Sequence, residues 1–169
     1  VNLSAAMGLE NKKILLVDAD PQGNSTSGYG INKKELEFSS YELMLSQCKI
    51  QEAIITTKYK NVDIIPSSIN LAGVEIELSA VTGREKILKN YLNEIKENYD
   101  FIFIDCPPSL GIITLCALTA CDTALIPIQC EYYALEGLSQ LINTINMVKK
   151  SLNPSLDIEG VLLTMFDGR

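Results

Sequence analysis

Hydrophobic residues fall into two alternating patterns along this chain. Ile14 to Val17, Val62 to Ile65, Phe101 to Ile104, Thr123 to Gln129 and Asp157 to Thr164 are short, nearly continuous apolar runs. Runs of that length, bounded by turn residues, predict strands buried on both faces. Between them the apolar positions return every three or four residues. Ile87, Leu88, Tyr91, Leu92, Ile95 and Tyr99 share one face of a helix within Arg84 to Tyr99. Leu138, Leu141, Ile142, Ile145 and Val148 mark the inner face of another. Further helices are predicted over Val1 to Leu9, as two short pieces around Cys48 within Tyr41 to Ile55, over Leu71 to Leu78, and over Ile112 to Thr119. Ala19 to Gly30, with Pro21, Gly23, Gly28 and Gly30, predicts a long functional loop. Strands alternating with helices predict an α/β fold, a mostly parallel sheet with helices on both faces, forming a single domain over 1–169.

Composition narrows the class. The chain has 169 residues, 47% hydrophobic and 21% charged, which excludes a disordered tail, a collagen-like fibre and a small disulfide scaffold. A chain of this size buries roughly 70% of its unfolded surface. Fourteen basic and 21 acidic residues give a net charge of −7, so a uniformly basic surface for nucleic acid is absent, though a local patch is not excluded. With no histidine, His-based triads and proton shuttles are ruled out in this stretch. Five cysteines, at 48, 106, 116, 121 and 130, form no Cys-x-x-Cys pair and predict reduced, mostly buried thiols. No apolar run reaches the ~20 residues of a membrane span.

Both ends predict an internal fragment of a longer protein. The first helix has no N-cap before Val1, and the chain stops at Phe166-Asp167-Gly168-Arg169, directly after a predicted strand.

In open α/β sheets ligands sit at the carboxyl ends of the strands, so the residues leaving those ends carry the chemistry. Asp105 ends a run of four apolar residues. Such an aspartate either holds Mg²⁺ opposite phosphates, often through water, or caps the following turn. Pro107 and Pro108 then fix the backbone of a loop suited to lie near a phosphate. Asp18 and Asp20 leave an earlier strand on one side of it. Two carboxylates that close require a cation between them; one could orient an attacking water while the other supports a metal, or Asp20 could simply make an Asx turn. Glu131 is a weaker ligand candidate beyond Gln129. No Gly-x-x-x-x-Gly-Lys-Ser/Thr motif is present.

Five blocks carry a resemblance: Val1 to Ala6, Ile14-Leu15-Leu16-Val17-Asp18-Ala19-Asp20-Pro21-Gln22-Gly23-Asn24-Ser25-Thr26, Ile104 to Gly111, Pro127 to Leu138 and Gly160 to Arg169. In order and spacing, end to end, the chain resembles the ParA/Soj chromosome- and plasmid-partitioning ATPases. The resemblance implies a P-loop NTPase-like sheet, incomplete at both ends, whose deviant phosphate loop would end just before Val1. It implies that Asp20 positions the attacking water, that Asp18 lies beside the magnesium, and that Asp105 is the Walker B carboxylate. Pro107 and Pro108 would belong to the switch sensing the γ-phosphate. Thr164 and Asp167 would lie near the adenine, and Arg169 would contact DNA. It further implies ATP and Mg²⁺ as cofactors and an ATP-closed homodimer that binds double-stranded DNA non-specifically. A ParB/Spo0J-type partner would stimulate hydrolysis, and the location would be cytoplasmic and nucleoid-associated, without a membrane. The 169 residues alone are expected to be inactive. The alternatives are a MinD-like division-site ATPase, which would need an amphipathic C-terminal helix, and a non-catalytic binding or dimerisation module.

Overall fold

The computed structural model describes residues 1–129 and 134–165. They form two compact units, Val1–Ala117 and the part that follows from Leu118.

The first unit is built on a four-stranded sheet in the order β2-β3-β1-β4, formed by β1 (Ile14–Asp18), β2 (Ile55–Thr56), β3 (Val62–Ile65) and β4 (Phe101–Asp105). β1 runs parallel to both β3 and β4, with Leu16 opposite Ile64 on one side and Phe103 on the other. The short β2 joins β3 antiparallel, an addition that its two residues do not announce in the sequence. As predicted, β1 is buried along its whole length, because it is sandwiched between neighbours as well as covered. Ile14, Leu16, Tyr29, Val62 and Ile64 form a buried cluster, with Met7, Ile31, Ile55 and Phe103 packed against it.

Helix α1 (Asn2–Leu9) approaches that sheet through a glycine. A Cβ on Gly8 would stand 2.4 Å from the Lys60 carbonyl oxygen and 2.8 Å from Val62 Cγ2, so the helix backbone lies almost on the chain entering β3. The Ala19 to Gly30 stretch, expected as a loop, holds a helical turn, α2 (Asn24–Gly28). The two pieces around Cys48 are α3 (Ser40–Met44) and α4 (Ile50–Ala53). Ser39 and Glu42 make a capping box at the start of α3. A 3-10 turn at Ile69–Gly73 leads into α5 (Val74–Glu77), and α6 (Ile87–Ile95) buries Leu88, Leu92 and Ile95 on the predicted face.

β4 departs from expectation. Phe101 is 45% exposed, and no residue of the strand is fully buried. The reason is its position: among the described residues β4 is hydrogen-bonded to β1 alone and forms an edge of the sheet.

Helix α7 (Ile112–Ala120) carries the chain from the first unit into the second. There β5 (Thr123–Gln129) pairs in parallel with β6 (Asp157–Thr164), across α8 (Ala134–Ser151). Ile145, Val148 and Leu156 are buried, and the Asn153 side chain donates to the carbonyls of Leu118 and Cys121. β6 also differs from the doubly buried strand its sequence predicts. Val161, Leu162 and Leu163 are 48%, 45% and 56% exposed, because among the described residues β6 has β5 as its sole partner strand. The described helices include none long and apolar enough to cross a membrane.

Cys48, Cys106 and Cys121 are half-buried rather than buried as expected, and Cys116 is fully buried. Burial pushes its thiol up to about 11, which suppresses the reactive thiolate.

Candidate functional site at the carboxyl ends of β1 and β4

Parallel pairing sets Asp18 directly opposite Asp105 at the carboxyl ends of two adjacent strands. The register alone therefore brings together two of the predicted site residues, 87 positions apart in the chain. Asp20 follows two residues beyond β1, and Pro107 and Pro108 leave β4 in the loop that precedes α7. Pro107 is half-buried and Pro108 exposed.

The two facing carboxylates have different surroundings. Asp18 is completely buried, whereas Asp105 is exposed. Asp18 Oδ2 accepts from the Thr26 N–H at 2.7 Å and from the Thr26 hydroxyl at 2.6 Å, and Oδ1 accepts from the Asp20 N–H at 3.3 Å. Asp105 Oδ2 accepts from the Ser25 hydroxyl at 2.5 Å. Successive residues of α2 thus serve one carboxylate each.

Gly23 makes that possible. It precedes α2 in the left-handed region, with φ of 60°, and a Cβ there would meet Lys33 Cδ at 2.9 Å and the Ser67 carbonyl at 3.3 Å. Glycine alone takes both the conformation and the close approach without strain. The Lys33 ammonium donates to the Gln22 carbonyl at 2.7 Å, holding the same bend from outside.

Asp20 adopts the Asx turn that its sequence context allowed. Its Oδ1 accepts from the Gln22 N–H at 2.9 Å, and its own carbonyl accepts from the Gly23 N–H. No described residue donates to Oδ2, and Asp20 is half-buried. The turn fixes one oxygen and leaves the other without a donor among the described residues.

Burial pushes the Asp18 carboxyl above its ordinary value near 3.8, opposed by the two Thr26 hydrogen bonds and the Asp20 N–H and reinforced by the charge of Asp105. The folded protein therefore holds this proton more tightly than the unfolded chain does. In the metal-free protein the Asp18 contribution must make stability fall as pH rises through a window that begins near 3.8 and extends upward. Asp18→Asn should flatten that slope, read as the difference between urea midpoints of the two proteins across pH. Parallel curves would contradict it.

No Lys or Arg lies within ion-pair distance of Asp18, Asp20 or Asp105 among the described residues. Two adjacent carboxylates without a basic partner suit a bound cation. Among the described residues no group of three or more His, Cys, Asp and Glu could enclose a metal unaided. One or two carboxylates, completed by water and phosphate oxygens, is the manner in which proteins hold Mg²⁺, so the donors fit that ion.

Thr164 ends β6 in the second unit, where its hydroxyl donates to the Ile128 carbonyl at 3.2 Å. Cys130, Glu131, Asp167 and Arg169 lie outside the described residues. The contribution of Ser25, Thr26 and Ser67 was not foreseen from the sequence. The available signal was a pair of hydroxyl residues directly after Gly23-Asn24, where a polar turn next to acids invites side-chain donors.

Comparison with known proteins gives the family. Residues 1–158 match the model of the AAA domain family. The sporulation initiation inhibitor protein Soj of Bacillus subtilis is 54% identical over all 169 residues, which span 67% of its length. The chromosome partitioning protein ParA of Myxococcus xanthus is 49% identical over the same residues, which span 60% of its length. Among solved structures, the cobyrinic acid a,c-diamide synthase of Mycobacterium smegmatis, determined with a bound ATP analogue and magnesium, superposes with a TM-score of 0.94 at 38% identity. That superposition covers 99% of this chain and 68% of the synthase. The chain belongs to the AAA domain family and, within its P-loop NTPase-like α/β fold, to the ParA/Soj partitioning ATPases.

Proposed function

We propose that the full-length protein hydrolyses ATP to ADP and phosphate in an ATP-driven DNA-partitioning cycle. The observation that carries this reading is the in-register Asp18–Asp105 pair, free of basic partners, with Asp20 held just beyond it.

Asp105, as the Walker B carboxylate, and the buried Asp18 would hold the magnesium, through water. The ion supplies charge neutralisation to the phosphates when bound. Asp20 Oδ2, left open by the Asx turn, accepts a hydrogen bond from the attacking water and aligns it with the γ-phosphate. Pro107 and Pro108 restrict the loop leaving β4, so that a change at the γ-phosphate is passed on as a displacement of the backbone rather than absorbed locally. On this reading Thr164 and Asp167 border the adenine. The ATP-bound protein would form a homodimer that binds double-stranded DNA without sequence preference. A ParB/Spo0J-type protein stimulates hydrolysis and release, and the protein works in the cytoplasm on the nucleoid.

Arg169 is assigned to DNA. Arg169→Glu in the full-length protein should weaken ATP-dependent DNA binding by at least tenfold, while ATP affinity stays unchanged. Binding should also fall steeply with salt, because each phosphate contact releases counterions. Equal DNA affinity in the two proteins, measured by fluorescence anisotropy at one salt concentration, would remove Arg169 from the interface.

A further inference from the structure

Five hydrogen bonds close a ring through three separate segments. Thr26, on α2, donates its hydroxyl and its N–H to Asp18 Oδ2 at the end of β1. The Ser67 N–H, in the chain leaving β3, donates to the Thr26 hydroxyl oxygen at 2.8 Å. The Ser67 hydroxyl donates in turn to the Asp20 carbonyl at 2.7 Å. The Asp20 N–H returns to Asp18 Oδ1. Asp18, Thr26 and Ser67 are each 0% exposed, so water does not compete for these bonds.

We propose that Thr26 is a positioning residue of the hydrolytic site, fixing the Asp18 carboxylate toward Asp105 and coupling it through Ser67 to the backbone of Asp20. The inference rests on the ATPase reading above and extends it to Thr26 and Ser67.

A hydroxyl has one proton to give. With the Ser67 N–H occupying a lone pair of Thr26, that proton is committed to Asp18 Oδ2. Two donors on Oδ2 then prevent the carboxylate from rotating, and Oδ1, which accepts from the Asp20 N–H alone, keeps a lone pair. Because Ser67 also holds the Asp20 carbonyl, the water-orienting residue and the buried carboxylate are set by one network rather than by two independent loops. Groups that orient carboxylates near a metal characteristically change its affinity or the rate by 10- to 100-fold when removed. A residue that merely packed in the interior would change stability without changing the magnesium requirement.

The test uses the full-length protein and four forms: wild type, Thr26→Ser, Thr26→Cys and Thr26→Val. Two quantities are read. One is the magnesium concentration giving half-maximal enhancement of ATP affinity, measured by titrating a fluorescent ATP analogue. The other is kcat and KM for ATP at saturating magnesium. Serine retains the hydroxyl and should restore wild-type behaviour. Valine keeps the volume but lacks the donor, and should raise the magnesium midpoint and lower kcat by at least tenfold while KM for ATP changes less than threefold. Cysteine, a weaker donor, should fall between. If the valine protein does not fold, the cysteine protein decides by the same criteria. A wild-type midpoint and kcat in the folded donor-deficient variant would overturn the positioning role. Loss in the serine variant equal to that in valine would overturn it as well. Absence of magnesium-dependent turnover in the wild type would instead refute the ATPase reading itself.

Discussion

Full-length protein carrying Asp20→Ala is expected to bind ATP as the wild type does and to lose turnover by about 10²–10⁴-fold, the usual contribution of a positioned acid–base group. The geometry separates binding from chemistry. Asp20 stands outside the Asp18–Asp105 pair, and its carboxylate makes one protein contact, to the Gln22 N–H. On the proposed reading its removal takes away the group that aligns water and leaves the Asp18–Asp105 pair in place. The alanine change also opens the Asx turn, so a second variant is needed to separate loop structure from charge. In Asp20→Asn the amide oxygen can still accept from Gln22, preserving the bend, but the negative charge is gone. Equal losses in both variants would assign the effect to the carboxylate. Near-wild-type turnover in either one would remove Asp20 from the reaction. The pair of measurements is single-turnover phosphate release and equilibrium ATP binding.

A second large effect is expected in the core beneath the site. Ile64 is fully buried in β3, opposite Leu16 and packed within the cluster that holds Ile14, Val62 and Tyr29. Truncation to alanine removes three carbons from a region walled by two strands and a ring, leaving little freedom to collapse. Ile64→Ala should therefore cost about 2–5 kcal/mol. At roughly 2–4 °C for each kcal/mol in a domain of 150–250 residues, the midpoint should fall on the order of 10 °C. The site should suffer indirectly. Ile65 pairs with Val17 one step from Asp18, and the chain leaving β3 carries Ser67, which bonds Thr26 and Asp20. A thermal scan showing a loss below 1 kcal/mol would mean that this cluster is not the centre of the core.

The sequence was most legible where burial and pattern coincide. Ile14 to Asp18 reads as a doubly covered strand and is one, and Leu88, Leu92 and Ile95 fall on the predicted face of α6. Asp18, Asp20 and Asp105 stand out as candidates in the sequence because they lie where apolar strands run into turns, and strand ends are where α/β sheets place ligands. The strand register then supplied what no linear pattern contains, the direct pairing of Asp18 with Asp105. Other features were hidden for physical reasons. Asn24-Ser25-Thr26-Ser27-Gly28 has poor helix propensity and no apolar face, so α2 could not be foreseen; the turn is held by its hydroxyls rather than by packing. β2, with two residues, has no period to detect. The exposure of Phe101 and of Val161 to Leu163 depends on which strands lie alongside, a property of the neighbours rather than of the strand. Ser67 reads as an ordinary serine after a proline, and its role emerges from a contact 41 residues away in the chain.

Phosphate release from ATP by the full-length protein, with magnesium and with the metal chelated, tests the central claim most directly. Two carboxylates without a basic partner, facing each other at the strand ends, predict hydrolysis that requires magnesium and disappears on chelation, and that Asp105→Asn reproduces the chelated state at full magnesium. Hydrolysis indifferent to magnesium, or wild-type turnover in Asp105→Asn, would contradict the assignment of this site.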